Sequence, residues 1–129
     1  MRDAGEGAIV NISSVYGRWA SSNSASYSVG KFAVAGYTDV LRQALVDTSI
    51  HIMGVFPGFI ETAMTLPFVQ PGSMKSRFGK TPDQLAEKIL QSLRRKKAEL
   101  CYPWYVPWVW RFHRWMPVLS DRVARRVKR

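Results

Sequence analysis

Two short apolar runs in the chain have the length and side chains of buried strands. Residues 8–12 form a run rich in β-branched side chains after Gly7, and residues 50–56 form a second run that ends at Pro57 and Gly58. Apolar runs of roughly four to eight residues between turn signals are typical of strands covered on both faces. A shorter run at 99–102 indicates a third strand.

Two segments repeat their apolar residues at helical spacing. Residues 25–47 carry Val, Leu, Phe, Tyr and Ala at intervals of three or four, which predicts a long helix with one wide apolar face. Residues 81–97 predict a second helix, since Thr81 suits the cap, Pro82 suits the first position and Gln84 completes a capping box.

The order of these elements predicts the fold class. Strands that alternate with helices favour parallel pairing, so we expect an α/β fold built on a doubly wound, Rossmann-like parallel sheet. Residues 13–24 are rich in Ser and Gly and predict a loop, and residues 62–80 predict an excursion with one short helix. Two or three parallel strands leave faces and edges uncovered, so we expect the sheet to be incomplete on its N-terminal side.

The positive charge of the chain is confined to one end. The 129 residues carry a net charge of +10, yet residues 1–93 hold 8 basic and 7 acidic residues, a net charge of +1. Residues 94–129 hold 11 basic and 2 acidic residues, a net charge of +9, and four of the five tryptophans. We therefore divide the chain into a nearly neutral segment, residues 1–102, and a basic aromatic tail, residues 103–129.

Several classes of protein are disfavoured. The single cysteine, Cys101, allows no internal disulfide, and the first residues lack the apolar core of a secretory signal, so we expect a cytoplasmic protein. The longest uncharged stretch of the tail, residues 100–110, is too short for a membrane-spanning helix, which needs about 20 residues. His51 and His113 are far apart in sequence, and we expect no metal site.

One pair of residues suggests acid–base chemistry. Tyr27 and Lys31 are four residues apart near the start of the long helix, so they lie on one face. A free phenol titrates near pH 10, but a neighbouring ammonium group favours the phenolate and makes the hydroxyl a better proton donor and acceptor. Spacing of this kind also occurs by chance, as an exposed pair of little energetic value.

Polar residues at the strand ends give this pair a context. Ser13 and Ser14 follow the first strand, and Pro57 and Gly58 end the second, with Thr62 in the loop beyond. The carboxyl ends of parallel strands meet at one edge of an open sheet, where such folds place their sites. A serine hydroxyl at this edge could bind a carbonyl oxygen while Tyr27 transfers a proton to it.

At this point the chain resembles the short-chain dehydrogenase/reductase family. The match covers residues 7–64, and more loosely extends to residue 102. It is carried by Asn11-Ile12-Ser13-Ser14, by Tyr27-Ser28-Val29-Gly30-Lys31 and by Pro57-Gly58-Phe59-Ile60-Glu61-Thr62. The thirteen-residue step from Ser14 to Tyr27 is the usual one in the family and favours Ser14 over Ser13 as the catalytic serine.

The resemblance implies hydride transfer between NAD or NADP and an alcohol or carbonyl substrate. It makes Tyr27 the general acid/base, Lys31 the cation that favours the phenolate and binds the nicotinamide ribose, and Ser14 the residue that polarises the substrate oxygen. The residues implied to border the cofactor are Tyr27, Lys31, Pro57, Gly58, Ile60 and Thr62. Residues 63–80 would form the substrate lid, and the helix carrying Tyr27 would join copies in a homo-oligomer.

The resemblance concerns the C-terminal, catalytic half of the family's fold. Only thirteen residues precede Ser14, and the glycines at 5 and 7 do not lie between a strand and a helix, as a dinucleotide-binding turn requires. We therefore expect an N-terminal βαβ half to be missing and the isolated chain to be an incomplete enzyme.

The tail has three interpretations. Its aromatic residues could pack on the sheet or cap the substrate pocket while the arginines remain in water. They could instead contact a membrane surface, since Trp, Tyr and Arg suit the headgroup level, and a membrane-associated enzyme would fit a lipid-like substrate. Nucleic-acid binding ranks last, because no known module accompanies the basic residues. The alternative function is an inactive remnant that acts as a membrane or interaction module through this tail.

Overall fold

The computed structural model describes residues 1, 4–68 and 78–126, whose core is one parallel sheet. The strands lie in the order β1-β2-β3, with β1 at Gly7–Ile12, β2 at Ile50–Pro57 and β3 at Glu99–Tyr102. The α-helices are α1 at Ala25–Ala44, α2 at Pro82–Arg94, α3 at Val106–Trp115 and α4 at Pro117–Arg126. Three short 3-10 helices lie at Val15–Gly17, Ser22–Ser24 and Leu66–Phe68. The prediction of an α/β fold with a parallel sheet is confirmed.

The central strand β2 supplies most of the buried apolar side chains. Ile52, Met53, Val55 and Phe56 are all at most 4% exposed. Strand β2 pairs with β1 from Gly7↔Ile50 to Ile12↔Val55, and with β3 from Gly54↔Glu99 to Pro57↔Tyr102. A strand with neighbours on both edges and helices over the sheet must be apolar throughout, which explains the continuous run in the sequence.

Helix α1 packs on the sheet through small polar side chains. Ser28 and Thr38 are about 1% exposed, and the Asn11 amide nitrogen donates a hydrogen bond to the Thr38 hydroxyl at 3.1 Å. Val29 and Val40 are 70% and 60% exposed, so much of the apolar face that the periodicity predicts points away from the sheet. Periodicity identified the helix correctly, but it did not indicate which face lies on the sheet.

Both predicted helices end earlier than their sequence patterns. Helix α1 stops at Ala44, three residues before the predicted end. The chain turns there into β2, because the Thr48 amide donates a hydrogen bond to the Leu45 carbonyl. Helix α2 stops at Arg94, also three residues before its predicted end. It stops there because Lys96 adopts a φ of 49° and the Lys97 amide donates a hydrogen bond back to the Ser92 carbonyl. A left-handed residue of this kind commonly ends a helix.

The start of α2 follows its sequence signature. The Gln84 amide donates to the Thr81 hydroxyl at 3.2 Å, and the Thr81 amide donates to the Gln84 side-chain oxygen at 3.1 Å. Pro82 occupies the first helical position. This is the reciprocal capping box predicted from residues 81–84, and it satisfies two amide groups that a helix start would otherwise leave unpaired.

The loop and tail contain helices that the sequence analysis did not assign. The segment after β1, predicted as a loop, holds two short 3-10 helices, and the tail holds α3 and α4. Pro107 lies in the first turn of α3 and Pro117 begins α4, positions that proline tolerates because its missing N–H is not needed there. Val106 on α3 is 2% exposed, so burial of an apolar face accounts for this helix.

Two further predictions concern segments rather than single residues. The predicted lid, residues 63–80, includes residues 69–77, which lie outside the described residues; its described part contains the 3-10 helix Leu66–Phe68. Within the described parts of the chain, no helix is both long and apolar enough to span a membrane.

We expect Met53→Ala to lower the free energy of unfolding by about 2–5 kcal/mol, because it leaves a cavity beside β2. Met53 is 0% exposed, whereas Met64 is 68% exposed, so Met64→Ala is a matched control expected to change stability by about 0.5 kcal/mol or less. Chemical denaturation measures both values. Equal effects of the two substitutions would contradict this placement of the core.

Candidate functional site

Two hydrogen bonds connect the end of β1 to the first turns of α1. The Lys31 ammonium group donates to the Ile12 carbonyl at 3.0 Å, and the Ser13 hydroxyl donates to the Lys31 carbonyl at 2.7 Å. The Ser13 amide also continues the sheet by donating to the Val55 carbonyl at 2.8 Å. Strand end and helix are therefore held in one relative position, and Ser13 is committed to this connection.

Ser14 follows at the edge of the sheet with a different set of contacts. It is buried, and its hydroxyl oxygen accepts a hydrogen bond from the Tyr16 amide at 3.2 Å, capping the 3-10 helix Val15–Gly17. A hydroxyl oxygen has two acceptor sites and one hydrogen to donate. The capping bond occupies one acceptor site, so the Ser14 hydroxyl retains a hydrogen that can be donated to a substrate oxygen.

Tyr27 lies in the first turn of α1, and its side chain is open to solvent on one side. The residue is 41% exposed, and the Lys31 ammonium nitrogen lies 5.6 Å from the centroid of its ring. The ring of Tyr16 meets it edge-on, with centroids 6.3 Å apart and an interplanar angle of 86°. Tyr16 therefore connects Tyr27 to Ser14, because its backbone amide donates a hydrogen bond to the Ser14 hydroxyl and its ring contacts the Tyr27 ring.

The end of β2 forms a tight turn against the beginning of the tail. The Gly58 amide donates to the Tyr102 carbonyl at 2.7 Å, directly after the paired residues Pro57 and Tyr102. A Cβ atom at Gly58 would lie 2.8 Å from the Tyr105 hydroxyl oxygen. Glycine is needed here because the tail packs directly on the turn.

The loop beyond this turn is organised by one hydroxyl group. The Thr65 hydroxyl donates to the Ile60 carbonyl at 2.6 Å and accepts from the Thr62 amide at 2.8 Å. The Glu61 amide donates to the Lys80 carbonyl at 2.9 Å, which pairs the chain just before the predicted lid with the last residue of the lid. Ile60 and Thr62 are thus held in a compact turn after β2. Thr65 is absent from the sequence prediction because a hydroxyl in a loop carries no distinctive pattern.

The structure brings the sequence-predicted residues to one edge of the sheet in two groups. Ser14, Tyr27 and Lys31 are joined through the end of β1 and through Tyr16. Pro57 and Gly58 lie at the end of the neighbouring strand, and Ile60 and Thr62 lie in the turn that follows. The arrangement thus places a hydroxyl, a phenol and an ammonium group on the elements that meet at the end of β1.

Arg18 is a further residue of this region that sequence reasoning missed. Arg18 directly follows the 3-10 helix that Ser14 caps, and its guanidinium group forms an ion pair with Glu99. The same group lies over two aromatic rings, with its Cζ atom 4.2 Å from the centroid of the Phe56 ring and 4.8 Å from that of the Trp110 ring. Guanidinium groups favour such stacked positions over aromatic faces. Arg18 thereby joins the loop of residues 13–24, which we call the serine loop, to β2, β3 and α3. Local spacing does not reveal such an association between distant segments.

Aromatic side chains continue from Tyr27 toward the tail. Tyr16 and Trp19 have ring centroids 6.2 Å apart, and Trp19 lies 6.2 Å from the ring of His113 on α3. The aromatic residues of the serine loop were visible in the sequence, since Tyr16 and Trp19 follow Ser14 closely. Their contact with His113 depends on the fold of the tail.

Two other titratable groups near the sheet are poor candidates for acid–base or nucleophilic roles. Burial raises the pKa of the Cys101 thiol; nearby Glu99 raises it further, against a smaller opposite effect of Arg18 and Arg111. Burial also raises the pKa of the Tyr105 phenol, opposed by its hydrogen bond to the backbone of Phe59. Both groups are held in their protonated forms at neutral pH, so neither the Cys101 thiol nor the Tyr105 phenol is a ready nucleophile or base.

Comparison with known proteins identifies the family. The family model described as short chain dehydrogenase matches residues 1–71, and the chain belongs to this family. It is 36% identical over 103 residues to a dehydrogenase/reductase SDR family protein 7-like of Drosophila melanogaster, covering 74% of this chain and 32% of that protein. It is 32% identical over 101 residues to the ketoacyl reductase HetN of a Nostoc species, covering 78% of this chain and 35% of that protein. The chain spans about a third of the length of these curated relatives.

Solved structures agree with the fold. A short chain dehydrogenase from Burkholderia cenocepacia in complex with NADP superposes with a TM-score of 0.73 at 21% identity, over 96% of this chain and 50% of that one. A short-chain dehydrogenase from Sphingobium yanoikuyae in complex with NADPH superposes with a TM-score of 0.67 at 24% identity, over 93% of this chain and 44% of that one. The chain therefore has the fold of about half of each of these proteins.

We expect Gly17→Ala to lower the free energy of unfolding by about 1–3 kcal/mol through overpacking. An added Cβ atom would lie 2.6 Å from the Lys31 carbonyl oxygen and would also collide with the Ser13 hydroxyl, separating β1 from α1. Gly36→Ala on α1 is the matched control, since nothing lies within 4 Å of its added Cβ. This control should gain up to about 1 kcal/mol from helix propensity. Chemical denaturation compares the two, and a neutral Gly17→Ala would argue against the close approach.

Proposed function

We propose that the protein carrying this sequence is an oxidoreductase that transfers a hydride between NAD(P) and an alcohol or carbonyl substrate, with Tyr27 as general acid/base. The observation that carries the proposal is that Lys31 lies near the Tyr27 ring and is also bonded to the end of β1. Its ammonium group lies 5.6 Å from the Tyr27 ring centroid and is bonded to the end of the strand that Ser14 follows. Membership in the short chain dehydrogenase family supports the same chemistry.

The donor groups at the edge of the sheet fit the nicotinamide end of such a cofactor. An ammonium group has three N–H bonds, and the Ile12 carbonyl occupies one of those of Lys31. The others can bind ribose hydroxyls. Pro57, Gly58, Ile60 and Thr62 form the adjoining edge, where the half-buried Thr62 contributes a hydroxyl. Solved structures of the same fold are in complex with NADPH, NADP or NADH, which supports either NAD or NADP here.

The residues of the chain account for the proton in the reaction. When bound, the cofactor would supply the hydride for the carbonyl carbon in reduction, and the displaced pair of π electrons would move to the substrate oxygen. Tyr27 donates its hydroxyl proton to that oxygen, and Ser14 holds the oxygen by a hydrogen bond. Lys31 stabilises the phenolate that Tyr27 becomes. Oxidation of the alcohol reverses each of these movements.

A lipophilic substrate suits the surroundings of Tyr27. The ring of Tyr16 lies beside Tyr27, and the ring of Trp19 lies beside that of Tyr16, so the two rings offer apolar surface to the rest of the substrate. Two relatives are named ketoacyl reductase and 3-oxoacyl-[acyl-carrier-protein] reductase, and both names refer to a keto group on an acyl chain. The substrate class proposed is therefore an alcohol or ketone with a long apolar portion.

The outer face of α1 supports assembly of identical copies. Val29, Phe32 and Val40 are 70%, 44% and 60% exposed on this helix. Exposed apolar surface on one face of a helix favours association through that face. We include a homo-oligomer formed through α1 in the proposal for the full protein.

A second proposal concerns the tail, which we infer contacts a membrane surface. Trp104 and Trp115 are 71% and 84% exposed, in a segment of strongly positive charge. Tryptophan is favoured at the interface between lipid and water. This contact is compatible with the enzymatic proposal, and it is also the basis of the alternative in which the chain is catalytically inactive and acts through its tail.

We expect Tyr27→Phe to lower NAD(P)-linked turnover of lipophilic ketones by at least about 100-fold, because general acid–base catalysis contributes roughly 10²–10⁴-fold. Tyr37→Phe, which removes the same hydroxyl from a residue of α1 that is 58% exposed, is the matched control and should leave turnover unchanged. The assay follows cofactor absorbance in the protein that carries this sequence. Absence of turnover, or equal rates for Tyr27→Phe and the control, would contradict the proposal.

A further inference from the structure

Helix α3 exposes aromatic side chains along its outer face. Three aromatic residues of the helix are exposed: Trp108 (61%), Phe112 (43%) and Trp115 (84%). Just before the helix, Trp104 is 71% exposed. Steps of three and four residues place these side chains along one side, which we call the tryptophan face. Soluble monomers rarely leave a continuous apolar patch of this kind in water.

The opposite side of the same helix already accounts for its packing. Val106 is buried, Trp110 stacks on Arg18, and the ring of His113 lies 6.2 Å from that of Trp19. The inner side therefore contacts the serine loop. The tryptophan face is not needed for these contacts, so its apolar character calls for a separate partner.

Positive charge borders the tryptophan face. Arg111 and Arg114 are both exposed on α3, and the Arg111 Cζ atom lies 5.5 Å from the Trp108 ring centroid. Residues 94–129 have a net charge of +9, with Glu99 and Asp121 as their acidic residues. Glu99 is engaged by Arg18 on the inner side of the tail. The outer side of α3 thus combines aromatic rings with the positive charge of Arg111 and Arg114.

We propose that the tryptophan face of α3 lies on the surface of an anionic lipid bilayer. This inference rests on the membrane contact proposed above and specifies the face and the lipid class. Tryptophan rings suit the headgroup level, and basic side chains beside them are attracted to anionic headgroups. Apolar side chains of α4 extend the same kind of surface, with Val118 and Val123 63% and 46% exposed.

A membrane contact through α3 would bring the candidate site at the edge of the sheet near the membrane. The helix has one side on the serine loop and the other on the membrane, and a helix with its side chains is about 10–12 Å across. The edge of the sheet that carries Ser14 and Tyr27 would then lie close to the headgroups. A lipophilic substrate could pass from the bilayer to the site over the tail.

The test measures sedimentation of the purified chain with vesicles of phosphatidylcholine alone or with added phosphatidylserine. Cosedimentation with the phosphatidylserine vesicles is expected, with weak binding to phosphatidylcholine. Arg111→Gln and Arg114→Gln should each weaken binding about fivefold, and Trp115→Ser should weaken it at least as much. Leu90→Ser, on α2 and 55% exposed, is the matched control and should bind as the unchanged chain does. Circular dichroism verifies that each variant is folded.

Four outcomes would overturn this inference. Equal binding to both vesicle types would remove the anionic specificity, and binding unaffected by Trp115→Ser would place the contact elsewhere. Binding to a generic oligonucleotide but not to vesicles would assign the charge to nucleic acid. A dimer that Trp115→Ser converts to monomer, without vesicle binding, would assign the face to a second copy. None of these measurements involves turnover, so the inference and the enzymatic proposal can fail separately.

Discussion

The arrangement of the candidate site depends on the pair of hydrogen bonds between the end of β1 and helix α1. Lys31 donates from its ammonium group to the Ile12 carbonyl, and Ser13 returns a bond to the Lys31 carbonyl. These bonds set the distance between the strand that leads to Ser14 and the helix that carries Tyr27. The close approach explains why Gly17 has no room for a side chain beside the Lys31 carbonyl. One lysine thus acts in the packing of α1 and in the proposed chemistry of Tyr27.

One link between the tail and this arrangement is a cation. Arg18 pairs with Glu99 and lies between Phe56 and Trp110, so the serine loop, two strands and α3 meet at its guanidinium. On the other side of the sheet edge, Tyr105 packs on Gly58. The segment that composition separates from the rest of the chain is therefore in contact with Gly58 and with the loop that follows Ser14. This proximity is what relates the proposed membrane contact to the proposed site.

Local patterns predicted most of the elements because each reflects a rule that acts within a few residues. The run that became β2 is apolar because the strand is covered on both faces, and the capping box at Thr81 was visible as residue types at fixed spacing. The helix ends were wrong by three residues because a turn at Thr48 and the left-handed Lys96 are set by the chain's path into the next strand. Helices α3 and α4 were not assigned, since aromatic and basic composition obscured their periodicity.

The sequence by itself determined the family resemblance, the parallel α/β sheet and the identity of the candidate residues, because these depend on residue types at fixed spacings. Only the tertiary structure decided how the residues are used. It committed Ser13 to the helix and left the Ser14 hydroxyl a hydrogen to donate, and it turned the apolar face of α1 away from the sheet. It also brought Trp19 to His113 and Arg18 to Trp110. Contacts between residues about 90 positions apart depend on how the chain folds back on the sheet, which no local pattern encodes.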